Sequence, residues 1–231
     1  MKKYLSLVFA VVATLIVSAR QGIAEQKDLQ SWSTIAATIN LDCEKDWFLY
    51  LESQPRIGDD LSRLERLIVR GGLGFNLTPQ MSVLLGYGWT PSFYNTAYDG
   101  DFRNENRIWQ QFLYREERFG LQWQHRVRLE QRIIQDAGET SHRGRYLIRG
   151  SHPLSEDGSF GVTAYNELFV NANGAARGPK GGFDRDRFFI GPYITSGPGR
   201  YEVGYIGEYA AHFGAESRWI DAIGFNALFT F

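Results

Sequence analysis

Arginine and glutamate recur at every second position along several stretches of this 231-residue chain. Arg126, Arg128, Glu130 and Arg132 form the longest series; Arg143, Arg145 and Arg149 follow, and Glu105 stands two residues before Arg107. Glu52 with Arg56, Arg66 with Arg70, Arg185 with Arg187, and Glu202 with Glu208 keep the same even spacing, while Glu167 stands alone in its stretch. In a β-strand, residues two apart share a face, so each series puts its charges on one side. Arginine's planar five-donor fork suits pairing with carboxylates, and Glu105, Glu130 and Glu167, each set among arginines, are the expected acceptors. Two chemistries are open to such a face. An Arg/Glu ladder can be purely structural, because buried charges must pair and hydrogen-bond or cost several kcal/mol each. A surplus of arginine, roughly two per carboxylate by this parity, raises the local concentration of small anions and sets selectivity.

Other chemistries find weaker support. Of the four histidines, His125 falls on the opposite face, and His142 and His212 lie at loop edges. His152 directly follows Ser151, so in a strand the two side chains point apart and cannot make a Ser–His pair. The Gly-rich stretch from Gly174 to Gly182 lacks a following Lys-Ser or Lys-Thr and opens no helix, which makes it a flexible loop rather than a phosphate cradle. Acidic residues at 99–101 and 184–186 read as solvated loop charge rather than a divalent-metal site. Cys43 is the single cysteine and excludes an intramolecular disulfide; it reads as an incidental turn residue. No catalytic residue, metal or cofactor is expected, and nucleic acid is not an expected partner.

The elements that must position these charges are strands. Alternating segments separated by turn clusters fall at 28–40, 46–56, 63–77, 81–91, 104–114, 119–134, 142–152, 159–171, 183–195, 199–210 and 219–231. Leu67, Val69, Leu73 and Phe75 oppose Arg70, Gly72 and Gly74; Val83, Leu85, Tyr87 and Trp89 oppose Gly86 and Gly88. The inward glycines leave room for long side chains from neighbouring strands, and Trp109, Tyr165, Phe189 and Tyr193 are expected to narrow the interior. Nearly every segment has one apolar and one charged face, which a barrel in lipid requires. The last segment carries Ile223, Phe225, Ala227, Phe229 and Phe231 on one face, the pattern of a terminal outer-membrane strand; Phe225, Phe229 and Phe231 are its expected membrane-assembly signal. Tight connections at 78–80, 115–118, 153–158 and 196–199 alternate with longer ones at 92–103, 135–141, 171–182 and 210–218. Short turns face the periplasm and long loops the exterior in such barrels. The expectation is therefore all-β: a closed antiparallel transmembrane β-barrel of 10–12 strands. Because bacterial single-chain barrels usually have even counts, either 28–40 is not an ordinary barrel strand, giving ten, or a twelfth is missing from the eleven segments.

The amino terminus agrees with export. Lys2 and Lys3 precede an apolar run from Leu5 to Val17 and then small residues, the layout of a cleaved signal peptide. Residues 1–24 are the expected signal peptide, with an alternative cut after Ala19, and 25–231 a single barrel domain. A mean hydropathy of -0.31 is compatible with a barrel, because its two faces average out, and aromatic residues at 15% suit the headgroup boundary. The expected location is the outer membrane of a Gram-negative bacterium, reached through the periplasm. Expected partners are its lipids and lipopolysaccharide, the barrel-assembly machinery acting on the last strand, and small anionic solutes.

Several short motifs occur in order: Asp28-Leu29-Gln30-Ser31-Trp32, Glu105-Asn106-Arg107-Ile108-Trp109-Gln110-Gln111, Arg126-Val127-Arg128-Leu129-Glu130-Gln131-Arg132, Arg143-Gly144-Arg145-Tyr146, Tyr165-Asn166-Glu167-Leu168-Phe169 and Glu202-Val203-Gly204-Tyr205. The series resembles the bacterial family called domain of unknown function 2490 across essentially the whole mature chain. One usual element, an Asp-Gln-Asn-Arg run, stands here as Asp184-Arg185-Asp186-Arg187, which changes the charge along its strand. The resemblance implies an outer-membrane-type barrel and supplies no catalytic residues. The favoured expectation is a narrow, Arg-lined channel or binding barrel for small anionic solutes. A surface-interaction barrel closed by its Arg/Glu network is the alternative, and a small outer-membrane hydrolase a third.

Overall fold

The computed structural model describes residues 29–42, 44, 46–93, 102–213 and 216–231. The expected signal peptide, Cys43, and most of the connection at 92–103 lie outside them. Within them every helix-or-strand element is a strand: β1 (Leu29–Asn40), β2 (Trp47–Gly58), β3 (Arg63–Asn76), β4 (Met81–Trp89), β5 (Glu105–Arg118), β6 (Leu121–Ile134), β7 (Ser141–Pro153), β8 (Phe160–Asn171), β9 (Gly182–Ser196), β10 (Gly199–Phe213) and β11 (Glu216–Thr230). Each strand pairs with its sequence neighbours, and β1 pairs with β11 to close the barrel.

The closing pair is parallel, in register from Leu29 opposite Asp221 to Thr38 opposite Thr230. An up-and-down meander reverses direction at each strand, so an odd count brings the first and last strands together pointing the same way. Two expectations are corrected by this. The barrel is not antiparallel throughout, and its strand number is neither ten nor twelve: β1 pairs fully with β2 on one side and β11 on the other, and the described residues hold eleven strands. Beyond the parallel ladder, Asn40 N–H donates to the Phe231 carbonyl (2.9 Å) and Phe231 N–H to the Thr38 carbonyl (2.9 Å).

Two connections are shorter than their charge and loop composition suggested. β5 continues through Arg115, Glu116, Glu117 and Arg118, and its turn to β6 is only Phe119 and Gly120 with φ of 59° and 72°. Positive φ at both central residues is the hairpin turn whose twist matches its strands. Likewise β10 and β11 extend to Phe213 and Glu216, so the long loop expected at 210–218 is mostly strand. Among the described residues the loop end of the barrel carries 59–62, 90–93, 102–104, 135–140 and 172–181; the turn end carries 41, 42, 44, 46, 77–80, 119–120, 154–159 and 197–198.

The faces invert those of an ordinary globular domain. Ile35, Leu51, Leu73, Leu85, Leu129 and Ile223 stand exposed on the outer face, while Arg128, Glu130, Glu167 and Glu208 are buried within. Two aromatic clusters pack inside as well: Phe48, Leu84 and Trp109 on one wall, and Trp32, Phe189, Ile206, Ile220 and Ala222 near the seam. The first depends on glycine. A Cβ at Gly72 would lie 2.6 Å from the Trp109 ring, and one at Gly86 closer still, so β3 and β4 form a flat seat for the indole.

Candidate functional site

Strand parity turns the charged residues of eight strands into one interior. β8 sends in Glu167 and Phe169, β7 Arg143 and Arg145, β6 Glu130, β10 Glu208, and β9 Arg185 and Arg187. β9 also sends in Asp184, against its parity. Phe169 faces Arg185 across the β8–β9 ladder but Val170 faces Phe183, so Asp184 is the extra residue of a β-bulge. The bulge turns its carboxylate inward, while Asp186 remains on the outer face and accepts a bond from Asn166 Nδ2 (2.7 Å).

These eight charges close on themselves. Glu130 contacts Arg145 (2.7 Å) and Arg145 contacts Glu167 (2.6 Å). Glu167 lies 3.7 Å from Arg187, which holds Glu208 at 2.5 Å. Glu208 meets Arg185 at 3.0 Å, and Arg185 meets Asp184 at 3.1 Å. Arg143 completes the circuit, 3.2 Å from Asp184 and 2.5 Å from Glu130. Four arginines alternate with four carboxylates around the buried Phe169, over whose ring all four guanidinium carbons lie at 4.5 to 5.8 Å. The negative ring face adds a cation–π attraction to each. The circuit is electrically neutral and every member has two ionic partners.

The remaining interior charge is not neutral. Arg126 adds a third arginine at Glu167 (2.7 Å), and Glu105 holds both Arg107 (2.7 Å) and Arg132 (2.5 Å). Glu202 holds both Arg149 (3.0 Å) and Arg200 (2.8 Å). Arg70 lies 3.4 Å from Glu52, which also accepts from the Tyr50 hydroxyl. Arg56, Arg66 and Arg128 have no carboxylate at ion-pair distance among the described residues. Arg56 and Arg128 each give Nε and Nη2 to one amide oxygen, that of Gln54 (3.1 and 2.8 Å) and of Gln111 (2.9 and 2.6 Å) respectively. Arg66 gives Nε to Ser92 Oγ (3.1 Å). Among the described residues fourteen arginines, Arg103 and Arg115 included, and four acidic residues line the interior directly. They surround a cavity of about 620 Å³, whose lining runs from Asn40 and Asn76 at the turn end to Arg103 and Pro179 at the loop end.

All twelve arginines and glutamates singled out from spacing, Arg70 through Glu202, lie on this interior. Phe225, Phe229 and Phe231 instead fall on the outer face of the seam, with the Phe229 and Phe231 rings stacked at 6.0 Å. Spacing missed Asp184, because a bulge breaks parity, and Arg200, Phe169, Gln54 and Gln111, whose roles depend on neighbours in other strands. Ser151 meets Thr163 (2.9 Å) and Arg200 (2.9 Å), while His152 contacts the Gly120 carbonyl. The Gly-rich connection read as a flexible loop is tied down: Ala175 N–H donates to the Pro179 carbonyl, Asn171 Nδ2 to the Lys180 carbonyl, and Arg103 to the Arg177 carbonyl.

Fold and site together define a class: an odd-stranded barrel, sealed by a parallel seam, with guanidinium groups in excess inside an apolar shell. The chain belongs to the family described as protein of unknown function DUF2490, whose model matches residues 29–218, from the start of β1 into β11. It is similar to an uncharacterized protein of Methylorubrum extorquens, 28% identical over 215 residues that make up 91% of each chain.

Proposed function

We propose that this protein is an outer-membrane barrel of a Gram-negative bacterium whose interior takes up small anionic solutes. The observation that carries the anion reading is the imbalance of fourteen arginines against four acids lining one cavity. Desolvated guanidinium charge without a carboxylate is costly, and an entering anion offsets that cost. The neutral circuit around Phe169 serves the wall, so the surplus groups outside it serve the solute.

Membrane insertion is supported from the outer face. Its aliphatic band is bordered by exposed Trp47, Phe160 and Phe231 toward the turn end and by Trp89 and Phe183 toward the loop end. Outward polar side chains bond sideways to one another, as Gln110 with Gln131 (3.0 Å) and His125 with Tyr146 (2.8 Å) do. Lipid offers no replacement for such bonds. In this reading lipids and lipopolysaccharide surround the wall, and the barrel-assembly machinery reads Phe225, Phe229 and Phe231; deleting Phe231 impairs membrane assembly in cells more than the stability of already folded protein.

Single-channel recording of the refolded mature protein in planar bilayers, under a salt gradient, tests the function. Discrete openings with a reversal potential of anion preference support a conducting path. Silence from folded, heat-modifiable protein, together with no effect of anions on its stability, removes the anion reading and leaves the surface-interaction barrel with a closed interior.

A further inference from the structure

We infer that Arg56 and Arg66 form a binding site for a phosphate-type oxyanion at the loop end of the barrel, deepening the anion reading above. The two arginines are direct cross-strand partners on β2 and β3, both directed inward. Like charges placed opposite one another destabilise a sheet, and here no carboxylate lies between them. The carboxylates whose charge acts most on them, Glu208 on Arg56 and Glu105 on Arg66, are each already held by two other arginines.

Both guanidinium groups are oriented by neutral acceptors, which leaves their charge uncompensated. Gln54 is itself fixed, because its Nε2 donates to Thr34 Oγ1 at 2.9 Å, so its oxygen is committed to Arg56. Arg56 is only 7% exposed, and its guanidinium carbon lies over the Trp32 ring, 3.9 Å from its centroid. Trp32 is its direct cross-strand neighbour on β1 and holds it in place, while its Nη1 edge remains for a ligand. Arg66 is held through Nε by Ser92 and offers both Nη groups. Two forks arriving from adjacent strands suit a tetrahedral oxyanion, which accepts from several directions; a single carboxylate saturates one fork. The ligand class is a small solute carrying a phosphate or sulfate group.

Calorimetric titration of the refolded protein in detergent with inorganic phosphate tests the site, using Gln54→Glu and Arg66→Gln. Gln54→Glu keeps Arg56 but supplies it with a carboxylate, so it removes the free charge without removing the arginine. Wild type is expected to bind phosphate, and each variant to bind about tenfold more weakly or worse, the loss of one charge-assisted hydrogen bond. Gln54→Glu should keep or raise heat resistance, which separates lost binding from lost folding. Phosphate affinity unchanged in both folded variants overturns this site; if Arg149→Gln then lowers it, the wider anion reading stands. No phosphate binding by wild type overturns the site, while anion-selective conductance in bilayers would still uphold the wider reading.

Discussion

Each residue of the circuit around Phe169 bridges two opposite charges, so the effect of a substitution depends on membership rather than on burial. Arg145→Glu sets a third carboxylate between Glu130 and Glu167. It is expected to destabilise the barrel by about 3–5 kcal/mol or more, the cost of a broken buried pair, seen as a lower urea midpoint in detergent. Arg128 is as deeply buried, but its partners are the Gln111 amide and the Trp109 ring, 4.8 Å away, and its Nη1 has no acceptor. Arg128→Met should therefore be neutral or stabilising in the same assay, and a loss as large as that of Arg145→Glu would show that burial alone decides. Much of the site was legible in the sequence, because even spacing is all that assigns Arg126, Arg128, Glu130 and Arg132 to one face. Asp184 was not legible, since a bulge changes parity without a mark in composition. Gln54 and Gln111 look like any polar residue until the arginine that each orients is known.

Strand by strand, alternation gave each strand and missed only the ends, where turn chemistry competes with charge. The run Arg115 to Arg118 looked like a turn but remains paired with β6 at the exposed rim, and the turn falls to Phe119 and Gly120. The inward glycines of β3 and β4 were legible as space, though not as a seat for one residue. Gly86→Ala pushes a methyl group into the Trp109 indole and is expected to cost about 1–3 kcal/mol, with quenched or shifted tryptophan emission marking the displaced ring. The β7–β8 connection offers a pH test. Asp157 is held down to about 2 by the Ser155 hydroxyl, then the Ser159 hydroxyl and N–H, with the latter two at 2.7 and 3.0 Å. A lowered carboxyl stabilises the fold above its ordinary value of 3.8 and loses that contribution as pH falls toward about 2. NMR titration should place the Asp157 midpoint near 2, and a midpoint near 4 would mean that the serines do not hold it.

For the whole molecule the count of eleven matters most, and it was the feature that segment counting registered yet an even-number rule argued away. Alternation along a strand says which face each side chain takes; it says nothing about how the first and last strands meet. That depends only on their number, and here it places the start of β1 at the loop end and the end of β11 at the turn end. In the membrane reading, an epitope inserted before Leu29 of the mature chain should be labelled on intact cells, while one after Phe231 should need a permeabilised outer membrane. Labelling of both on intact cells would contradict the parallel seam. The same seam constrains rearrangement of the gene. In an even-stranded barrel the ends of the neighbouring first and last strands share a rim, and a short linker can join them to open the chain elsewhere. Here the ten paired positions of the seam, at about 3.3 Å each, separate the ends by roughly 30 Å. A circular permutant of this barrel needs a linker of about ten residues or more crossing the whole wall, through lipid or through the arginine-lined interior. The order of its strands is therefore far harder to shuffle than that of its even-numbered counterparts.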